Sequence, residues 1–121
     1  TRAEMDEYWL EGTRDRETTG SAFAILSTSH ESTRAQQLEV GRAFQRIALW
    51  AASEGLAVQP LNQMAERQDR EDTQGLPSRF GARLDTLTGQ DHRRAQMLFR
   101  IGYPWDEARP SPRRPLAWVR R

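Results

Sequence analysis

The longest apolar pattern in the chain lies within Val40–Gln63. Residues 47–52, Ile-Ala-Leu-Trp-Ala-Ala, leave no polar face, and a helix that is apolar all round belongs in a protein interior. The spacing predicts a long buried helix over about Thr33–Glu54. Gly55 then ends it, because glycine takes the left-handed conformation of a helix C-terminus without a Cβ clash. The rest of the chain is expected to pack around this helix.

Three further apolar stretches predict strands. Residues 22–26 form a short apolar run typical of a strand buried on both faces. Residues 56–59 predict a short strand, and Pro60 ends it because proline cannot donate to a sheet ladder. Alternation over Arg94–Tyr103 predicts a third strand. Together with the long helix, these strands predict an α+β fold in which a central buried helix packs on a mixed β-sheet.

The remaining segments are shorter and more polar. Residues 2–10 predict a short helix with Met5, Tyr8 and Trp9 on one side, and residues 78–88 predict an amphipathic helix. Residues 65–73 are dense in charge and predict a solvated helix or loop. The proline-rich end of the chain predicts an extended tail, in which residues 116–119 could add an edge strand or pack on a partner.

Composition narrows the functional classes. The 121 residues suit one domain or part of one, and 18 basic against 17 acidic residues give a net charge of +1. That balance argues against a nucleic-acid binder, whose domains are usually strongly basic. Without cysteine the chain has no disulfide framework, no thiolate metal site and no cysteine nucleophile. No stretch reads as a signal peptide or a membrane span, so we expect a soluble cytoplasmic protein with no membrane partner.

The residues that often carry chemistry form no catalytic pattern here. His30 and His92 are far apart and lack the paired spacing of metal ligands, so no metal site is predicted. Asp69, Glu71 and Asp72 are interpreted as a solvated acidic run. No residue is predicted as a catalytic acid, base or nucleophile.

Two segments remain as candidate binding sites. The first follows the second predicted strand, and it is either an Asn-containing turn or a rigid loop that faces a ligand. Its residues are Pro60, Leu61, Asn62 and Gln63. The second is Arg113 and Arg114, whose guanidinium groups suit bidentate phosphate binding but would equally suit a solvated tail.

The order of these segments resembles the C-terminal half of the nitroreductase family of flavin enzymes, and within it the two-domain mycobacterial-type FMN-binding subfamily called Acg-like. Five motifs in the same order over about a hundred residues carry the resemblance. They are Phe23-Ala24-Ile25-Leu26-Ser27-Thr28, Gly41-Arg42-Ala43-Phe44-Gln45-Arg46, Gly55-Leu56-Ala57-Val58-Gln59-Pro60-Leu61-Asn62-Gln63, Phe99-Arg100-Ile101-Gly102-Tyr103-Pro104 and Ser111-Pro112-Arg113-Arg114-Pro115-Leu116.

The resemblance implies a nitroreductase-like layered fold with FMN held non-covalently. Residues 1–20 would be an N-terminal helix and loop, and residues 21–121 an FMN-binding half-domain. In the family the loop after the second strand lies against the flavin ring, which here is the loop 60–63. A basic residue near the C-terminus contacts the FMN phosphate, and Arg114 matches it best, with Arg113 beside it.

The chain also departs from the family pattern. Many members have an acidic residue and a glycine where this chain has Asn62 and Gln63, and the family's N-terminal half has no counterpart here. The resemblance therefore implies a partial flavin site, completed by the missing N-terminal half or by a second subunit in a dimer.

The implied function is an FMN-dependent oxidoreductase that moves hydride from NAD(P)H through FMN to a nitro or quinone-like small-molecule acceptor. The alternatives are an FMN-binding storage protein with little turnover and a non-catalytic structural or dimerisation domain.

Overall fold

The computed structural model describes residues 1–29, 32–89, 93–106 and 114–119. His30, His92 and Arg113, considered above, lie outside these ranges. The described part is mixed α and β, with four α-helices and one sheet of three strands. The helices are α1 (Arg2–Gly12), α2 (Arg34–Ser53), α3 (Gln63–Gln74) and α4 (Phe80–Thr88), and the strands are β1 (Ala22–Ser29), β2 (Ala57–Pro60) and β3 (Arg93–Gly102). A π-helical turn, Thr13–Glu17, continues α1, and a 3-10 turn spans Leu116–Trp118.

The last of the described strands is the centre of the sheet. The strand order is β1-β3-β2, and both pairings with β3 are antiparallel. Ala22 pairs with Ile101 and Ala57 pairs with Gly102, so both outer strands start at the same end of β3. Among the described residues the sheet is therefore antiparallel throughout, and the expected mixed sheet is wrong. The nitroreductase-like layering remains a prediction.

Helix α2 packs on one face of this sheet. Thr33 caps its N-terminus in a capping box with Gln36, and the rings of Phe44 and Phe99 meet edge to face with centroids 5.4 Å apart. The inward side is half-buried, but only Ala51 of the helix is fully buried. The core is small, and its buried apolar residues among those described are Ala51, Leu84, Ala95 and Phe99.

The predicted burial of α2 on all sides is wrong for this chain. Leu49 and Trp50 are 62% and 56% exposed, because a single three-stranded sheet can cover only one side of the helix. The prediction that β1 is buried on both faces is also wrong, since β1 is an edge strand and Phe23 is 55% exposed. Residues 116–118 form a turn rather than the edge strand considered above.

Helices α3 and α4 pack against each other and against β3. Gly75 and Gly89 end them with φ of +61° and +65°, a conformation that favours glycine. Gly81 of α4 is buried, and a Cβ there would lie 2.6 Å from the Ser78 hydroxyl in the preceding loop and 3.6 Å from the Gln68 side chain of α3. The charged segment 65–73 is thus helical but only partly solvated, because Gln68 and Glu71 are buried.

Candidate functional site

The loop 60–63 lies where β2 leaves the sheet. Pro60 is opposite Phe99 in the register, and the next residue extends the pairing, because Leu61 N donates to Leu98 O at 2.8 Å. The Asn62 side chain completes it by accepting from Leu98 N at 3.1 Å. Both polar backbone groups of Leu98 are thus hydrogen-bonded to this loop, which fixes the position of the N-terminus of α3.

Helix α3 continues to cover the edge of β3 that β2 no longer pairs. Gln68 donates from Nε2 to Ala95 O at 3.3 Å, and its side chain is buried. Two carboxamides, of Asn62 and Gln68, therefore replace a neighbouring strand along this edge. The Asn62 side-chain oxygen is thus occupied by the backbone of β3, and both interpretations of the loop 60–63 stay predictions.

The start of α3 nevertheless has hydrogen-bond donors to offer. No side chain caps the helix, and its N-cap residue is Asn62. The backbone N–H groups of Gln63, Met64 and Ala65 have no hydrogen-bond partner among the described residues. Such free N–H groups and the positive end of the helix dipole attract hydrogen-bond acceptors and negative charge.

The two predicted parts of the site are not brought together by any described contact. Arg114 is exposed, and no hydrogen bond or ion pair joins it to the described residues. Its neighbour Arg113 lies outside the described ranges. The loop 60–63 is therefore placed by the sheet, whereas the phosphate role of the two arginines stays a prediction.

An open cleft of about 570 Å³ lies beside the start of β2 and the end of β3. Arg100 crosses it, donating from Nε to Gln59 Oε1 at 2.8 Å and from Nη1 to the carbonyl oxygens of Thr19 and Arg16. These bonds hold the segment after α1 against the sheet. Other lining residues are Gly20, Ser21, Ala57, Val58, Ile101, Gly102, Tyr103, Pro104 and Trp105. Sequence reasoning had not singled out this cleft.

Glu71 is a buried carboxylate that the interpretation of a solvated acidic run missed. It accepts hydrogen bonds from the N–H groups of Arg79, Phe80 and Gly81, each at 3.1 Å, and so caps the start of α4. Burial by itself would raise the pKa of Glu71. The three backbone hydrogen bonds and the Arg79 charge outweigh it, so the net pKa is lowered.

Asp69 and Asp72 also have a structural partner. Arg94 donates from Nη2 to Asp69 Oδ1 at 3.0 Å and from Nη1 to Asp72 Oδ2, and its side chain is only 17% exposed. This fork joins α3 to β3. The interpretation of the acidic run as solvated is therefore wrong for Glu71 and incomplete for the two aspartates, which remain exposed at their outer sides.

Within the described ranges, no group of three or more His, Asp or Glu side chains is arranged to hold a metal ion. None of the described helices combines the length and the hydrophobicity that a membrane-spanning segment requires. Comparison with protein-family models, with curated proteins and with solved structures found no match.

Proposed function

We propose that this chain forms part of an FMN-dependent oxidoreductase, with the loop 60–63 and the start of α3 against the flavin ring. The proposal rests on the resemblance described above. One structural observation supports it: a loop fixed to β3 at both polar backbone groups of Leu98 leads directly into backbone N–H groups that have no partner among the described residues. A rigid loop that presents free N–H groups suits a planar ligand with acceptor atoms along one edge.

The donor set of this loop fits such a ligand in a specific way. Pro60 has no N–H, and the N–H of Leu61 is used in the ladder. The donors available to a ligand are therefore the N–H groups of Asn62, Gln63 and the first turn of α3. The Asn62 side-chain oxygen holds the loop by accepting from Leu98 N, so within that side chain only the amide nitrogen is left to face a ligand.

In this proposal the chain binds and orients FMN, and FMN supplies the hydride chemistry when it is bound. Arg114 would neutralise the FMN phosphate, as a guanidinium can donate two parallel hydrogen bonds to it. The remaining contacts would come from a second subunit or from the missing N-terminal half. NAD(P)H would be the donor and a nitro or quinone-like compound the acceptor.

The visible absorption spectrum of the purified full-length protein tests the proposal. We expect a bound yellow chromophore, either as purified or after addition of FMN, which NADPH bleaches and a nitroaromatic compound restores. Bleaching without reoxidation would favour FMN storage over catalysis. No bound chromophore after addition of FMN would refute both flavin functions.

Substitution of Arg114 tests the phosphate contact separately. Arg114→Ala should weaken FMN binding about tenfold, since a charge-assisted hydrogen bond is lost, and should leave riboflavin binding unchanged. Arg83→Ala, which removes an exposed arginine on α4, is the matched control for net charge. Equal losses for FMN and riboflavin would contradict a phosphate role for Arg114.

A structural or dimerisation domain is the second candidate, and it has its own supporting observation. Large apolar side chains of α1 and α2 are more than half exposed, among them Trp9 at 67% and Leu49 at 62%. Exposed apolar groups of this size are typical of interaction surfaces when they cluster. A chain that associates but never binds FMN would support this candidate alone.

A further inference from the structure

Helix α1 has an apolar face that no other element in the described part of the chain covers. Met5, Tyr8 and Trp9 share one side of the helix and are 62%, 66% and 67% exposed, and no residue of α1 is buried. A capping box between Thr1 and Glu4 defines its N-terminus. Isolated helices shorter than about 12–15 residues are marginal in water, so an 11-residue helix needs a surface to pack on.

Helix α2 has an outward side of matching length. Leu38 and Leu49 lie near its two ends, 59% and 62% exposed, and Gly41, Arg42 and Gln45 lie between them. The eleven residues of α1 span about 16 Å, which is also about the distance along the helix axis from Leu38 to Leu49. A Cβ at Gly41 would meet nothing within 4 Å. A glycine inside a helix costs about 1 kcal/mol relative to alanine, and here it leaves room for a second helix to approach.

The two helices also carry complementary charge. Helix α1 has four acidic residues against one basic residue, Arg2, and all are exposed. The acidic residues are Glu4, Asp6, Glu7 and Glu11. The exposed side of α2 has three arginines, Arg34, Arg42 and Arg46, against one acidic residue, Glu39. Opposite charges on two facing surfaces favour association and suppress wrong pairings.

The chain's own α1 cannot reach its own α2 without breaking the fold. Successive side chains of a strand point to opposite faces. Phe99 contacts Phe44 of α2, so the Arg100 side chain lies on the other face of the sheet. There it donates to the carbonyl oxygens of Arg16 and Thr19. Because a continuous helical segment joins α1 to Arg16, α1 starts from the sheet face opposite to α2.

We propose that α1 packs on the outward side of α2 from a second copy of this chain, with Met5, Tyr8 and Trp9 over the Leu38–Leu49 stretch. The contact is reciprocal, so two copies close into a two-fold symmetric dimer in which each gives one helix and receives one. This dimer does not depend on flavin binding, because none of its residues belongs to the loop 60–63 or to the arginine pair.

Charge reversal on each helix tests the pairing by sedimentation equilibrium of the full chain at low salt. The variants are D6R/E11R on α1 and R34E/R46E on α2. They avoid Glu4, which belongs to the capping box, and Arg42, which already pairs with Glu39 at 2.6 Å. The control R67E/R83E makes the same change in net charge as R34E/R46E, at exposed positions of α3 and α4.

We expect the unmodified chain to be a dimer and each reversal to raise its dissociation constant about tenfold, as several exposed ion pairs become repulsive. Combining the two reversals should restore the dimer, and the control should match the unmodified chain. Trp9→Ala should weaken the dimer without changing the secondary structure of α2 and of the sheet.

A chain that stays monomeric at all concentrations would overturn the proposal. So would a combined variant that is as weak as either reversal alone. Protection of Trp9 from a soluble fluorescence quencher in a monomer would also overturn it, because the helix would then be docked within its own chain.

Discussion

Replacement of Asn62 tests how the loop 60–63 is held. Asn62→Ala removes the acceptor of the Leu98 N–H, and a half-buried N–H without a partner costs about 1–2 kcal/mol. The unfolding entropy of a 121-residue chain is about 0.25 kcal/mol/K. A loss of about 1.5 kcal/mol therefore predicts a decrease in Tm of about 6 °C.

Urea unfolding and amide exchange together measure this effect. The free energy of unfolding of Asn62→Ala should fall by about 1.5 kcal/mol, and hydrogen exchange of the Leu98 amide should accelerate in the folded state. Asn62→Asp is the matched variant, because its carboxylate keeps an acceptor oxygen and lies favourably at the start of α3. It should lose less than about 0.5 kcal/mol, as should Gln63→Ala at the exposed position beside it.

The reasoning is refuted if Asn62→Ala is no less stable than Gln63→Ala, or if the Leu98 amide exchanges at the same rate in both. If Asn62→Asp is as destabilised as Asn62→Ala, the acceptor oxygen is not the stabilising group. None of these measurements needs FMN, so they separate the support of the loop from its proposed ligand.

Two further predictions concern α4 and α2. Glu71 has a pKa below its ordinary value of 4.5, so its carboxylate stabilises the fold above about pH 4.5 and this contribution is lost as the pH falls through the lowered pKa. Urea midpoints measured from pH 3 to 7 should therefore be lower for Glu71→Gln than for the unmodified chain at neutral pH, and the two should converge in acid. Midpoints that differ by the same amount at every pH would contradict the capping role. Gly41→Ala should raise the free energy of unfolding by about 0.5–1 kcal/mol at chain concentrations low enough to dissociate the proposed dimer. Gly75→Ala, at φ of +61°, is its destabilising counterpart, and a loss of stability in both would show that α2 is not open at Gly41.

The pattern of apolar residues predicted the elements because each has a regular period. The alternation in Arg94–Tyr103 predicted β3, and the helical spacing in Arg2–Leu10 and Ser78–Thr88 predicted α1 and α4. Their ends differ by two residues or fewer. The short strand before Pro60 was also predicted, although the observed strand includes the proline.

Burial was harder to predict than periodicity. The run 47–52 indicated a helix buried on all sides. The number of buried sides depends on how many layers pack against the helix, and the run itself does not encode the number of layers. The structure has one sheet beside α2, and Leu49 faces away from it. A prediction of burial from an apolar run therefore depends on everything that packs on the helix, including other subunits, as well as on the chain itself.

The position of Asn62 just after a strand that ends in proline was visible in the sequence, but the hydrogen bond that it accepts from Leu98 was not, since the two residues are 36 positions apart. The role of Glu71 was not visible. Its partners are eight to ten residues away, beyond a glycine and a proline, and only the angle between α3 and α4 brings the N–H groups of residues 79–81 to its carboxylate. The same holds for Arg94, which reaches Asp69 and Asp72 from another element.

The order of the strands has a consequence for the way the chain folds. Among the described residues, both outer strands pair only with β3, which follows them in the chain. Ala22 can therefore take its place in the sheet only after Ile101, its partner in β3, has been synthesised. During synthesis from the N-terminus, the apolar strand β1 therefore emerges long before it can be paired. Closure of so long a loop slows folding and leaves unpaired strands open to association. A ribosome-bound chain that ends before residue 93 should thus contain helices but no sheet.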